Sequence, residues 1–238
     1  MTEQEDVSVR TFECEAILFD LDGVLVDSTA VVVRTWREWA EERGLDAGRI
    51  LEVAHGRRAA ETVQLFAPDL DADSEARELE RIEVNDLDGV LKIEGARELL
   101  SSLPTDGWTV VTSGTRALAS SRMEHVGLPL PERFVSADDV ENGKPHPEAY
   151  LKGADVLGVR PEACVVIEDA PSGVSSARSA GMRVIAVATT HREEDLREAD
   201  AVVASLASIR AIPHHESGAE GGPRFELRVT VQESVNTP

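Results

Sequence analysis

The sequence predicts an α/β protein: a three-layer, doubly wound parallel sheet with a small all-helical domain inserted after the first strand. Three observations predict it. Short apolar runs recur along the chain, each closing on small, polar or acidic residues. Helix-patterned segments of roughly 8–14 residues stand between them. The alternation breaks once, between Ser28 and Lys92, where amphipathic stretches replace strands. Continuous apolar runs alternating with helices read as strands buried on both faces, joined in βα units.

In chain order the expected strands are Ala16–Phe19, Trp108–Val111, Cys164–Ile167, Val184–Val187 and the shorter Ala201–Val203. The expected helices are 94–101, 115–126, 147–157, 171–180 and 192–198. The sheet domain is thus assigned to 1–28 and 93–213. Residues 29–92, with amphipathic stretches at Thr29–Arg43 and Asp73–Asp88, form the helical insert over one end of the sheet. In 214–238 the run HHESGAEGGP reads as a flexible tail. Phe225–Val231 alternates apolar and polar residues and reads as an edge strand or a disordered segment. Loss of 214–238 is expected to spare the chemistry.

With 238 residues the chain can bury a sizeable core and a smaller second domain. Its 45 acidic and 24 basic residues give a formal charge of −21, which argues against gripping nucleic acid or an anionic membrane by nonspecific charge. No apolar run approaches the ~18 residues of a spanning helix, and MTEQEDVSVR lacks the basic-then-apolar pattern of a signal peptide. Cys14 and Cys164 make neither a disulfide framework nor a metal-ligand spacing. A cytoplasmic, reducing setting and a monomer or weak homodimer are expected.

Chemistry-bearing residues collect where strands end. The first strand runs into Asp20-Leu21-Asp22-Gly23, and ligands of open parallel sheets bind at carboxyl ends of strands. Alone, this could be an ordinary Asp-Gly turn. The run Cys164–Ile167 closes on Glu168-Asp169, which adjacent strand ends would bring close to Asp20 and Asp22. Convergent carboxylates repel unless a cation joins them, and hard oxygen ligands suit Mg²⁺. Asp169 also suits a helix N-cap ahead of Pro171, and the two roles are compatible. Ser113 and Gly114, before the helix starting at Arg116, offer a hydroxyl and amides to an anion, or simply cap that helix. Of the 24 bases three are lysines, and Lys144 stands in the stiff run Gly143–Pro147. A compact ammonium there fits between carboxylates and a phosphate, where a guanidinium would be too broad. His146 reads as a loop residue rather than a base.

Taken together, FDLDG, VVTSG, GKPHPE and VIEDAPSG resemble, in order and spacing, the motifs of the haloacid dehalogenase superfamily over residues 15 to about 210. Gly143–Gly181 and the helical insert look most like the beta-phosphoglucomutase-like branch with a helical cap. HGRR, VTSGTRALA and ENGKPHPEAYLKGA are similar to deoxyglucose-6-phosphate and glycerol-3-phosphate phosphatases. The resemblance implies a Rossmann-like core and hydrolysis of a small sugar or polyol monophosphate. Asp20 would be the nucleophile, and Asp22 the acid and then the base. Mg²⁺ would be held by Asp20, the Asp22 carbonyl and Asp169, with Glu168 as a further ligand or support. Ser113, Gly114 and Lys144 would grip the phosphoryl oxygens. Arg57 and Arg58 in the HGRR loop, and Arg116, are candidate substrate contacts; solvated arginines are the plainer reading. Asp27 and Ser28 lie at the hinge of the insert.

Three rivals are weighed against this. A haloalkanoate dehalogenase needs no metal and no second catalytic aspartate, so Asp22 and Glu168-Asp169 argue against it. A mutase of the beta-phosphoglucomutase type places a histidine 12 residues after the nucleophile, and that position here is Val32. A non-catalytic phosphate-binding module would be expected to have lost one of Asp20, Asp22, Ser113, Lys144 or Asp169, and all are present.

Overall fold

The computed structural model describes residues 6–214 and 225–233. The elements are β1 (Asp6–Cys14), β2 (Ala16–Phe19), β3 (Val26–Asp27), α1 (Thr29–Arg43), α2 (Ala47–Ala54), α3 (Ala59–Phe66), α4 (Ala72–Asn85), β4 (Leu91–Lys92) and α5 (Ala96–Ser101). There follow β5 (Trp108–Val110), α6 (Arg116–His125), α7 (Glu148–Leu157), β6 (Cys164–Glu168), α8 (Pro171–Ser179), β7 (Arg183–Val187), β8 (Ala201–Val203), β9 (Ile209–Pro213) and β10 (Phe225–Glu233).

Five strands make a parallel sheet in the order β5-β2-β6-β7-β8. Side chains alternate between its faces. Leu18, Val166 and Val184 pack with Tyr150 of α7 and Val174 of α8, whereas Ile17, Phe19, Val165 and Ile185 join the core on the other side. After β2 the chain moves to β5 on one side, and β6 then pairs on the other. The end of β2 is therefore the switch point, where an open sheet leaves a crevice. Helices α1–α4 are entered and left through the paired β3 and β4, with Val26 opposite Lys92 and Asp27 opposite Leu91. Within them the Trp39 indole donates to Glu75 at 2.8 Å, tying α1 to α4. Gly44, at φ 65°, ends α1 in the left-handed conformation that spares a glycine the Cβ clash.

Two expectations differ from the structure. Segment 192–198 is not a full helix but a short 3-10 turn, Glu193–Leu196, anchored by buried Leu196. Phe225–Val231 is neither an edge strand nor a loose end. It lies in β10, the middle strand of a second, antiparallel sheet ordered β1-β10-β9. Phe225, Leu227, Val229 and Val231 are buried and share one core with Phe12, Ile185, Val187, Ala201 and Val203. This small sheet thus supplies part of the layer that a helix would provide in a fully doubly wound fold. The alternation in 225–231 was visible, but its partner β1 has no continuous apolar run, and among its described side chains Phe12 and Cys14 are the buried apolar ones. Most of HHESGAEGGP lies outside the described residues.

Candidate active site

Asp20 follows β2 directly. Its N–H donates to the Ile167 carbonyl at 2.9 Å, prolonging the sheet by one bond and turning the side chain into the crevice. Lys144 reaches it from the Gly143–Pro147 loop. The ammonium donates to Asp20 Oδ1 at 2.7 Å, to Glu168 Oε1 at 2.8 Å and to the Val111 carbonyl at 3.1 Å. All three of its N–H groups are thereby used, in a side chain 1% exposed.

Glu168 and Asp169 are neighbours with opposite surroundings. Glu168 Oε1 accepts from Lys144 and from the Tyr150 hydroxyl (2.9 Å), and Oε2 accepts from the amides of Asp169 and Ala170 at 2.8 and 2.9 Å. Four donors fill the carboxylate, so Glu168 fits a supporting role better than that of a ligand. Gly173 leaves it room, since a Cβ there would sit 1.5 Å from Oε1. Asp169 Oδ2 accepts from the Thr190 hydroxyl, while Oδ1 is buried without a partner. Gly23, at φ +83°, makes room in turn: its Cβ would fall 2.0 Å from Asp169 Oδ2.

Oxygens of Asp20, Glu168 and Asp169 lie within 4.8 Å of one another, all buried. Three carboxylates thus crowd around one ammonium, which pairs with Asp20 and Glu168 only; fully ionised, they would carry an excess of two negative charges that a divalent cation would offset. Burial, with the charges of Glu168 and Asp22 added and Lys144 opposing, pushes Asp20 up to about 7. Burial, then Glu168 and Asp20, raises Asp169 well above the usual carboxylate range. Lys144 is held charged: burial alone would lower it, but Asp20 and Glu168 together outweigh that. The hard oxygen donors and the unpartnered Oδ1 fit a divalent metal ion.

Asp22 faces the same crevice. Its Oδ1 accepts from the Ser28 hydroxyl at 2.8 Å and pairs with Arg122 Nη1 at 2.8 Å, and Arg122 Nη2 pairs with Glu83 Oε2 at 2.5 Å. A cavity of about 80 Å³ opens here. Asp20, Asp22, Ser113, Gly114 and Arg122 line it from the sheet domain, and Trp36, His55, Arg57, Glu80 and Glu83 from the insert side. The Ser113 hydroxyl donates to the Gly56 carbonyl at 3.0 Å, and the Gly114 amide to Thr112 Oγ1 at 3.1 Å.

The structure therefore gathers Asp20, Asp22, Ser113, Gly114 and Arg57 at one cavity, with Lys144, Glu168 and Asp169 packed around Asp20. It does not bring Arg58 or Arg116 to it. Arg58 donates to the Glu141 carbonyl at 2.9 Å. Arg116 binds Asp139 Oδ2 at 2.8 Å and the Phe134 carbonyl at 3.0 Å, over the Phe134 ring. Both arginines brace loops rather than face a ligand. Asp27 accepts from the Thr29 amide at 3.0 Å, at the start of α1, and His146 is a half-exposed loop residue. Arg122, Glu80, Glu83 and Thr190 were not foreseen. Thr190 follows the apolar run 184–187 as the other site residues follow theirs, a signal that could have found it.

Among the described residues no helix is long and apolar enough to cross a membrane. The family model for haloacid dehalogenase-like hydrolases matches residues 17–187. Hexitol phosphatase A of Escherichia coli is 44% identical over 201 residues, covering 82% of this chain and 93% of its own. Glycerol-1-phosphate phosphohydrolase 2 of Saccharomyces cerevisiae is 36% identical over 214 residues, covering 84% and 86% respectively. The crystal structure of beta-phosphoglucomutase from Clostridium difficile superposes with a TM-score of 0.71 at 27% identity, covering 81% of this chain and 92% of that one.

Proposed function

Since the chain belongs to the haloacid dehalogenase-like hydrolases, we propose that it hydrolyses a small sugar or polyol monophosphate through an aspartyl-phosphate on Asp20. The observation that carries this reading is the Asp20 carboxylate itself. It is buried at the switch point, pinned through Oδ1 by Lys144, and lines one cavity with Asp22. Pinning one oxygen leaves Oδ2 as the nucleophile. It forms a bond to phosphorus as the ester P–O bond breaks, and the departing alkoxide takes a proton from Asp22. Water then attacks the phosphorus, Asp22 takes its proton, and inorganic phosphate leaves as Asp20 is restored. Ser113 and the Gly114 amide line the same cavity and would exchange their present partners for phosphoryl oxygens. The residues fit Mg²⁺, held by the carboxylates of Asp20 and Asp169 and the Asp22 carbonyl; when bound it offsets charge on the transferring phosphoryl group.

On its insert side the cavity presents Glu80 and Glu83 with Arg57, while Arg122 is already paired twice. Burial foremost, with Asp138 and Glu83 adding, pushes Glu80 up to about 7. Carboxyl groups here can take hydrogen bonds from substrate hydroxyls, which suits a polyol or sugar leaving group. The hexitol and glycerol-1-phosphate phosphatases among the relatives support the same class. Mutase chemistry would need a proton acceptor at position 32, and Val32 lines the cavity there. Release of phosphate from a panel of polyol and sugar phosphates, with Mg²⁺ and with EDTA, tests the reading. Mg²⁺-dependent release is expected, and a folded protein silent across the panel would overturn it.

Metal binding is also expected to show in the melting temperature. Because burial raises Asp20 and Asp169, the metal-free folded protein holds protons that the unfolded chain releases, and it loses stability as pH rises from about 4 through about 7. Mg²⁺ must displace those protons. Saturating Mg²⁺ should raise Tm by roughly 5–10 °C near pH ~8 and far less near pH ~5. Equal increments at both pH values, read by calorimetry, would count against this carboxylate site.

A further inference from the structure

We propose that Arg122 is a positioning residue for Asp22, and that Glu83 makes this positioning depend on the seating of the helical insert. The proposal rests on the phosphatase reading above. Arg122 projects from α6 of the sheet domain and is 3% exposed. Its two terminal nitrogens serve different parts of the chain: Nη1 meets Asp22 beside the nucleophile, and Nη2 meets Glu83 on α4 of the insert. A buried guanidinium holds one orientation only while its partners hold theirs, because losing either leaves a charge unpaired away from water.

The bonding at Asp22 makes the pairing mechanistically pointed. Both the Ser28 hydroxyl and Arg122 engage Oδ1, and among the described residues no side chain bonds to Oδ2. A carboxylate fixed by one oxygen presents the other in one direction, as a group shuttling a proton between a leaving oxygen and a water must. Without Arg122 a single hydroxyl would orient Asp22. Packing of α4 on α6 does not itself require the ion pair, since Ser121 on α6 already donates to the Val84 carbonyl at 3.1 Å. The insert reaches the machinery at a second point: Arg58 donates to the Glu141 carbonyl, and Glu61 accepts from the Gly143 amide at 3.2 Å. That contact braces the loop carrying Lys144. The insert therefore buttresses both the lysine that pins the nucleophile and the arginine that aims the acid.

The test compares two leaving groups. A polyol alkoxide needs a proton as it departs, whereas 4-nitrophenolate departs unaided. Arg122→Met should lower kcat for a polyol phosphate by roughly 10²-fold. Its first turnover of 4-nitrophenyl phosphate, read as a nitrophenol burst, should stay within about threefold of wild type. Glu83→Gln keeps an acceptor for Arg122 and removes the charge, so it should show a smaller loss with the same selectivity. Arg122→Lys should not rescue, because lysine lacks the rigid fork that aims one nitrogen at Asp22 and the other at Glu83. If Arg122→Met fails to fold, Glu83→Gln decides alone. Equal losses on both substrates, or no loss on either, would overturn the proposal. Wild-type protein that turns over neither substrate would overturn the phosphatase reading and this proposal with it, and that result appears before any substitution is made.

Discussion

Asp20→Asn is expected to lower turnover by on the order of 10⁴-fold or more while making the metal-free protein more stable near pH ~8. The two effects come from one atom change. Asparagine keeps the shape and a carbonyl oxygen for Lys144 Nζ, which now lies 2.7 Å from Asp20 Oδ1, but its amide cannot attack phosphorus. It also removes one of three carboxylates crowded around one ammonium. Asp20 is pushed up to about 7 chiefly by burial, so above that pH the folded state bears the cost of an ionised, desolvated carboxylate that the unfolded chain does not. The variant should therefore melt higher than wild type without Mg²⁺ and gain less from its addition. Steady-state phosphate release and melting curves with and without Mg²⁺ check both halves. Turnover within about tenfold of wild type would mean that another group attacks. A lower Tm with lost turnover would mean that the substitution had disturbed the site rather than disarmed it.

Much of the site was legible because of where parallel strands put their ends. An apolar run buried on both faces stops where the chain leaves the sheet, and the next residues stand at the crevice; Asp20, Asp22, Ser113 and Asp169 all follow such runs. Lys144 stood out in a chain with few lysines. Side-chain direction is what the one-dimensional pattern lacks. Glu168 and Asp169 look alike as letters, yet alternation along an extended backbone sends Glu168 toward Tyr150 and two amides and Asp169 toward Gly23 and Thr190. Arg116 adjoins a motif in sequence, but as the first residue of α6 it swings to Asp139 and Phe134. Arg122 sits mid-helix in an arginine-rich chain, where nothing local marks it. Its meaning comes from Asp22 and Glu83, 100 and 39 positions away.

The expectation that loss of 214–238 spares the chemistry does not survive the placement of β10 in the core: ending the chain after His214 is expected to abolish cooperative folding, although it removes none of the candidate catalytic residues. Phe225, Leu227, Val229 and Val231 are each buried. At ~1.5–3 kcal/mol for each side chain, their loss amounts to roughly 6–12 kcal/mol, comparable with the ~5–15 kcal/mol that holds a whole domain folded. The damage would not stop at the missing strand. β10 lies between β1 and β9, so its removal strips both of their shared partner and leaves two open strand edges and an uncovered apolar core face. It would also reach the parallel sheet directly. The Phe225 ring packs on Gly107, where an added Cβ would fall 2.4 Å from the ring, and Trp108 of β5 follows at once. The Gly107 carbonyl in turn accepts from the Ile17 amide of β2, the strand that delivers Asp20. A graded control is Leu227→Ala, expected to cost ~2–5 kcal/mol in a denaturant titration while turnover per folded molecule is kept. A truncated chain that melts cooperatively near the wild-type temperature with full turnover would show the second sheet to be an ornament. Loss of turnover in step with loss of the transition would show instead that this sheet is part of the core on which the site is built.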